Sequence, residues 1–170
     1  DGTDAVMLSA ETATGRWPVK VVEAMARVCL AAESAMPPRE RAVERLDRHF
    51  ERTDEAIAMA TTWTARHMHA TAIVSLTESG STALMMSRAE TQIPIYALTQ
   101  HERTRRRMAL CRGVYPVAFQ PSTLETLKPV SEAIDCLVYR KVLSPCDRVL
   151  VTKGDFTGSG GTNSMKIVTV

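Results

Sequence analysis

The sequence has 170 residues, of which 45% are hydrophobic and 24% are charged, a composition that supports a buried core and excludes a disordered chain. Its formal net charge of +2 gives no general reason to expect nucleic acid or a membrane surface as a partner. No apolar run approaches the roughly 20 residues of a membrane-spanning helix, so we expect a soluble globular protein.

The four cysteines lie at positions 29, 111, 136 and 146. None belongs to a CxxC pair or has a histidine at metal-ligand spacing, so a zinc site and a thioredoxin-like motif are not indicated. Four reduced thiols are typical of the cytosol, and we expect a cytoplasmic protein. Because the first residues show neither a starting Met nor a signal-peptide pattern, we expect the chain to continue a longer polypeptide.

Two elements are predicted before the first break in the pattern. The apolar run within residues 4–9 predicts a short buried strand. A helix is predicted from Pro18, where the missing N–H of proline is tolerated, with an apolar stripe that passes through Val22. Pro37 ends this helix, and the mixed charges of residues 36–53 indicate a charged linker.

From residue 54 onward, strand and helix patterns alternate. Strand-like runs are predicted at Ala72–Leu76, Ile93–Leu98, Val114–Phe119, Arg148–Thr152 and Lys166–Val170. Helical segments are predicted at Asp54–His69, Thr82–Ala89, Glu102–Leu110 and Ser122–Leu143. This alternation favours parallel strands with helices on both faces of the sheet.

The last connection differs from the others, because residues 153–165 are polar and contain four of the eight glycines. A parallel return needs a long, usually helical crossover, so the final strand is predicted to be antiparallel. In the preceding helical segment, Ser122 to Glu125 has the pattern of a capping box, and Pro129 predicts a kink or two helical pieces. The predicted fold of residues 54–170 is three-layer α/β/α with a five-stranded mixed sheet, four strands parallel and the last antiparallel.

The segment Thr77-Glu78-Ser79-Gly80-Ser81-Thr82 follows a predicted strand and opens a helix. Its hydroxyls and free N–H groups suit a phosphate, helped by the helix dipole and by the close backbone approach that glycine permits. An ordinary helix cap has the same residue types, and the pattern leaves both interpretations open. The carboxyl end of a strand is where ligands usually bind in α/β sheets, which favours a binding site.

A second candidate is the glycine-rich stretch that begins at Lys153 and includes Gly160 and Gly161. It is not a Walker loop, because no lysine follows the glycines and a strand comes next. If the order of the strands brings this stretch next to Ser79, we expect it to close over a bound anion. The alternative interpretation is a mobile hairpin loop without a ligand.

A locally basic helix is predicted at Glu102 to Arg107. No aromatic side chains interleave with its arginines for base stacking, so a solvated or interface helix is favoured over a nucleic-acid contact. The four histidines lack metal-ligand spacing, and no metal site is expected in this chain.

The opening run from Asp1 to Pro18, DGTDAVMLSAETATGRWP, resembles pyruvate kinase near the end of its catalytic barrel. Further matching motifs are Met25–Leu30, Thr77–Gly80, Ser87–Arg88, Ile93–Ile95 and Gly161–Asn163. The resemblance covers nearly the whole chain and is closest to bacterial isozymes activated by AMP or sugar phosphates. It implies that residues 1–35 are the last strand and helix of a (β/α)8, or TIM, barrel, and that residues 54–170 are the C-terminal regulatory domain.

The resemblance implies that the parent protein transfers phosphate from phosphoenolpyruvate to ADP in glycolysis, giving pyruvate and ATP, with Mg²⁺ and K⁺. Ser9, Glu11 and Thr12 match the family's Ser-Gly-Glu-Thr segment, with Ala10 in place of glycine, and would support a hydrogen-bonded network around the substrate. Because the essential lysine and the metal ligands of the family come from earlier barrel strands, we expect this chain alone to be inactive and to carry no cofactor.

The resemblance also assigns an effector-binding site. Its residues would be Thr77, Ser79, Gly80, Ser81, Thr82, Lys153, Gly160 and Gly161. Ser81 stands where many effector-regulated members have a basic residue, which favours a monophosphorylated sugar or AMP over a bisphosphate. The implied partners are this effector, the missing barrel and further copies of the chain, as a homotetramer at full length or a dimer of the fragment; a purely structural subunit-interface module without ligand is the alternative.

Overall fold

A computed structural model describes residues 3–35, 49–89, 91–122, 128–154 and 161–170. The elements in chain order are α1 (Ala10–Ala13), α2 (Pro18–Ala35), α3 (Thr53–His67), β1 (Ala72–Leu76), α4 (Ser81–Arg88), β2 (Ile95–Thr99), α5 (Glu102–Met108), β3 (Val114–Ala118), α6 (Lys128–Tyr139), β4 (Arg148–Gly154) and β5 (Thr162–Thr169). Among these residues, no helix has the length and apolar character needed to cross a membrane.

The strands form one sheet in the order β3-β2-β1-β4-β5. Strand β1 pairs in parallel with β2 and with β4, and β2 pairs in parallel with β3. Strand β5 pairs antiparallel with β4. The predicted mixed sheet, with four parallel strands and a last antiparallel one, is therefore confirmed.

The two faces of the sheet carry separate cores, because successive side chains of a strand point to opposite faces. On one face, Ile73 and Leu150 pack with buried residues of α3, α4 and α5. On the other face, Val74 and Val149 pack with buried residues of α6. The helices thus cover both faces, which gives the three predicted layers and explains why β1 is almost entirely apolar and buried.

The predicted strand within residues 4–9 is wrong. These residues form an irregular segment that leads into α1, and Met7 is 87% exposed. A strand needs a neighbour to accept and donate its backbone hydrogen bonds, and no described strand lies beside this segment. The helix predicted from Pro18 is confirmed as α2, although it buries none of its residues and leaves Val19 70% exposed.

Some later predictions concern residues that are only partly described. After Pro129 the chain forms one helix, α6, as far as Tyr139. Residues 123–127, on which the predicted kink or two helical pieces depend, lie outside the described part. The capping box partly lies outside the described residues, and Ser122 instead donates from its backbone N–H to Glu132 Oε2 at 2.8 Å. Strand β5 begins at Thr162, before the predicted start, since its pairing with β4 continues to Gly154. Most of the linker predicted at 36–53 lies outside the described residues.

An ion pair stands at the start of α3. Arg52 donates to both carboxylate oxygens of Asp54, from Nε at 3.0 Å and from Nη2 at 2.6 Å. The side chain of Asp54 is 2% exposed and that of Arg52 is 60% exposed. The hydrogen bond from Arg52 holds the pKa of the Asp54 carboxyl below its ordinary value near 3.8, against the opposing effect of burial.

This lowered pKa predicts acid-sensitive stability. Because the unfolded chain takes up the proton at a higher pH than the folded chain, the contribution of Asp54 is fully present above about pH 3.8 and is lost as the pH falls through the lowered pKa. Urea unfolding measured between pH 6 and pH 3 should show a smaller loss of stability in Asp54→Asn than in the wild type. As a control, Glu102→Gln removes an exposed carboxylate and should lose as much stability as the wild type over this pH range. Equal losses of stability in the wild type and Asp54→Asn would contradict the prediction.

Candidate functional site

The first candidate segment forms a loop between β1 and α4 that is held by its own hydroxyl groups. The Thr77 Oγ1 accepts a hydrogen bond from the Gly80 N–H at 2.9 Å, and the Ser79 hydroxyl donates to the Ser81 Oγ at 3.1 Å. Thr104 of α5 donates from its hydroxyl to the Glu78 carbonyl oxygen at 2.7 Å. The loop is therefore fixed both internally and by the neighbouring helix α5.

Gly80 occupies a position that other residues tolerate poorly. Its φ is +82°, in the left-handed region, and it directly precedes the first turn of α4. A Cβ at this position would lie 2.8 Å from both the Cγ and the Sδ of Met108, a side chain that is 2% exposed. Glycine thus allows the start of α4 to approach α5 closely.

The structure brings the two candidate segments to the same end of the sheet. The hydroxyls of Thr82 in α4 and Thr162 in β5 are hydrogen-bonded at 2.7 Å and are buried. Lys153 and Gly161, which flank the second segment, lie half-buried at the paired ends of β4 and β5. Gly160 lies outside the described residues. The hydrogen bond of Thr82 therefore links the start of α4, directly after the first loop, to β5, the strand that follows the second candidate segment.

A cavity of about 460 Å³ lies beside the first loop. It is lined by Arg52, Glu55, Ser79, Ser81, Leu84, Met85 and Arg107. The lining combines two guanidinium groups and two hydroxyls with one carboxylate and two apolar side chains. Arg52 is paired with Asp54, whereas among the described residues no carboxylate forms an ion pair with Arg107.

Sequence reasoning did not assign Arg52 or Arg107 to this site. Arg107 was grouped with the other arginines of a basic helix, of which Arg106 pairs with Glu102 at 2.6 Å on the surface. The sequence pattern contains no strand order and so no signal for Arg107. The observed parallel pairing of β1 with β2 places α5 next to α4, because helices that follow adjacent parallel strands begin at the same edge of the sheet.

The predicted catalytic residues Ser9, Glu11 and Thr12 form a separate, exposed network around α1. Glu11 Oε2 accepts a hydrogen bond from the Ser9 N–H at 3.3 Å, and the Thr12 hydroxyl donates to the Ser9 carbonyl oxygen at 3.1 Å. Hydrogen bonds from the N–H groups of Glu11 itself and of Ser9 lower the pKa of the Glu11 carboxyl. In the part of the chain that the structure describes, no three His, Cys, Asp or Glu residues are placed to hold a metal ion.

The cavity contains groups that can bind an anion, beside one carboxylate, that of Glu55. Hydroxyl donors, a guanidinium and the first turn of α4 provide positive potential and hydrogen bonds at one place. Leu84 and Met85 add an apolar wall next to these groups.

Alanine at Gly80 should destabilise the protein more than alanine at Gly113. Both glycines have a positive φ, but a Cβ at Gly113 would meet no atom within 4 Å. Each variant carries the cost of a left-handed alanine, roughly 1–2 kcal/mol, and only Gly80→Ala also displaces Met108. Chemical denaturation should therefore show Gly80→Ala to be less stable than Gly113→Ala by about 1 kcal/mol or more. Equal losses would show that the approach of α4 to α5 does not require glycine.

Comparison with known proteins identifies the family. Residues 55–168 match the family model described as "Pyruvate kinase, alpha/beta domain". The chain is 48% identical over 172 aligned positions to pyruvate kinase II of Salmonella typhimurium, with all of this chain and 35% of that protein covered. It is 43% identical to a pyruvate kinase of Buchnera aphidicola, with 100% of this chain and 36% of that protein covered. It is 36% identical to a pyruvate kinase of Geobacillus stearothermophilus, with 98% of this chain and 28% of that protein covered.

The chain spans about a third of the length of the first two of these relatives. Its five-stranded mixed sheet falls within the residues that the family model matches, apart from Thr169 at the end of β5. The chain therefore belongs to the pyruvate kinase family, and residues 55–168 form its alpha/beta domain.

Proposed function

We propose that this chain is the regulatory part of a cytoplasmic pyruvate kinase and binds a phosphorylated effector, a sugar monophosphate or AMP. The observation that carries the proposal is the cavity in which Ser79 and Ser81 lie with Arg107. The hydroxyls donate hydrogen bonds to phosphate oxygens, and the guanidinium balances the phosphate charge. Lys153 and the glycines at 160 and 161 would cover the ligand from the second segment.

The charges of the site favour one phosphate group over two. The loop itself carries an acidic residue, Glu78, and no basic one. In the cavity lining, Glu55 adds negative charge and Arg52 is already paired with Asp54. Arg107 is thus the main cation available to a ligand, and a second phosphate would lie near carboxylates. The apolar wall of Leu84 and Met85 suits the ring of a sugar or a base.

The parent enzyme would transfer a phosphoryl group from phosphoenolpyruvate to ADP. In this reaction Mg²⁺ neutralises charge on the transferring oxygens, and K⁺ would accompany it. By the resemblance, the ligands of both metals would come from earlier barrel strands. Ser9, Glu11 and Thr12 would support the substrate network from the edge of the active site.

The other partners would be the barrel and further copies of the chain. Val19, Val22 and Leu30 of α2 are more than half exposed, and the barrel would cover this apolar stripe. A subunit-interface role is the second candidate function, with a tetramer at full length and a dimer for the fragment. It is favoured by the outer edge of β5, which pairs with no described strand and carries the 44% exposed Ile167.

Calorimetric titration of the 170-residue chain tests the effector site. Ribose 5-phosphate, glucose 6-phosphate or AMP should bind, and fructose 1,6-bisphosphate should bind more weakly. A Ser79→Ala/Ser81→Ala double variant should lose about 100-fold or more in affinity, because hydrogen bonds to a charged group each contribute roughly 1.5–3 kcal/mol and two are removed. Ser131→Ala, on the distant helix α6, is the matched control.

Light scattering on the same variants separates the two candidate functions. Lost binding with an unchanged mass supports the effector site, whereas a changed mass supports the interface module. No heat from any of the four ligands would contradict effector binding by this chain.

The chain alone should not catalyse phosphoryl transfer. By the resemblance, the essential lysine and the metal ligands would lie outside these residues, and positioning by such groups is the main source of catalysis in this chemistry. The measurement is phosphoenolpyruvate-dependent ATP formation by the purified chain with Mg²⁺ and K⁺ present. ATP formation above the level without protein would overturn this prediction.

A further inference from the structure

Asp4 joins the N-terminal segment to the sheet domain. Its Oδ1 accepts a hydrogen bond from the backbone N–H of Arg112 at 3.1 Å. Its Oδ2 forms an ion pair with the guanidinium of Arg88. The Asp4 side chain is only 23% exposed, which is low for a carboxylate in a segment whose apolar side chains largely face outward.

The helices of the N-terminal segment are attached less closely to the described part of the sheet domain. Helices α1 and α2 pack on each other, and neither makes an extended contact with a described element of the sheet domain. A second ion pair across the same boundary, between Glu33 Oε1 and Arg112 Nε, is longer at 3.9 Å. Asp4 is therefore the best-defined polar link between residues 3–35 and the sheet domain.

The partners of Asp4 lie near the C-terminal end of helix α4. The loop before the N-terminal end of α4, residues 77–82, is the proposed effector loop. Helix α4 begins at Ser81 and ends at Arg88, a distance of about 12 Å along its axis. Ser87 in its last turn donates a hydrogen bond to the Arg112 carbonyl oxygen at 2.6 Å. Helix α4 is thus hydrogen-bonded to the Arg112 backbone, and Asp4 contacts both.

Asp4 also lies close in sequence to the other functional segment. Only four residues separate it from Ser9, whose carbonyl oxygen accepts hydrogen bonds from the N–H groups of Thr12 and Ala13. A displacement of Asp4 would therefore be passed through a short piece of chain to the first turn of α1.

We propose that Asp4 is a positioning residue that holds the Ser9–Thr12 segment to the C-terminal end of α4. The first part of this proposal, the attachment, is supported by the contacts of Asp4 and does not depend on the proposed function. Its regulatory consequence rests on the proposed function: a ligand at Ser81 that shifts α4 changes the position of Ser9 through Ser87, the Arg112 backbone and Asp4. The Arg88 ion pair is a second, weaker contact. Helix α4 would then connect the effector site, at its N-terminal end, with the Ser9–Thr12 segment, which Asp4 holds to its C-terminal end.

The two contacts of Asp4 do not contribute equally. Arg88 is 60% exposed, and ion pairs with exposed partners contribute little. The N–H of Arg112 belongs to the backbone and donates to a partly buried carboxylate, a charge-assisted bond that is stronger than a neutral one. The Arg112 N–H bond should carry most of the attachment. Asparagine at position 4 keeps an acceptor for this bond and loses the ion pair, whereas alanine loses both.

Amide hydrogen exchange on the 170-residue chain tests the attachment. Exchange of the Arg112 amide, and of the amides of residues 12–14, should become at least tenfold faster in Asp4→Ala and rise less in Asp4→Asn. The control Glu33→Gln, which removes the longer ion pair, should leave the Arg112 amide at the wild-type rate. Unchanged exchange in β1 would show that the fold is retained. An Arg112 amide that stays equally protected in Asp4→Ala overturns the proposal.

The coupling is tested by repeating the exchange with saturating ribose 5-phosphate. The ligand should change the exchange of residues 12–14 in the wild type and leave it unchanged in Asp4→Ala, although calorimetry shows binding to both. Binding with the same exchange response in both proteins overturns the coupling and leaves the effector site standing. Failure of the wild type to bind overturns the effector site and with it the coupling, and the attachment is then decided by the Arg112 amide alone.

Discussion

Burial of helix α4 against the sheet is the interaction on which both the cavity at Ser81 and the contact of Arg88 with Asp4 depend. Ala83 and Met86 have no exposed surface, and the Thr82 hydroxyl is bonded to Thr162 across the interface. Close-packed interiors of this kind transmit displacements and resist smooth deformation. The position of α4 therefore sets the place of Ser81 in the cavity and of Arg88 beside Asp4 at the same time.

The effector loop is arranged before any ligand arrives. Its N–H groups are partly satisfied by its own hydroxyls, and Gly80 turns the chain into α4 with a backbone conformation that glycine adopts without strain. Helix α5 fixes the loop from outside through Thr104 and supplies Arg107 to the same cavity. A preformed site loses little conformational entropy on binding, which favours affinity from few contacts. A small, weakly charged pocket of this kind would suit the proposed monophosphate.

Sequence patterns predicted the sheet domain well because its signals are local. The apolar run of β1 is bounded by turn residues and followed by a helix, and the glycine-rich link before β5 excluded a helical crossover. The run around Val6 has a similar composition but forms no strand, because a strand also requires a neighbour, which a local pattern does not reveal. Arg107 was missed for the same reason: only the pairing of β1 with β2 brings its helix next to Ser81.

The central claim is that a phosphate group binds among Ser79, Ser81 and Arg107. A crystal structure of the chain with ribose 5-phosphate tests it most directly. The account predicts phosphate oxygens within hydrogen-bond distance of both serine hydroxyls and of the Arg107 guanidinium, with the sugar ring against Leu84 and Met85. A ligand bound elsewhere on the domain, with this cavity filled only by water, would contradict it.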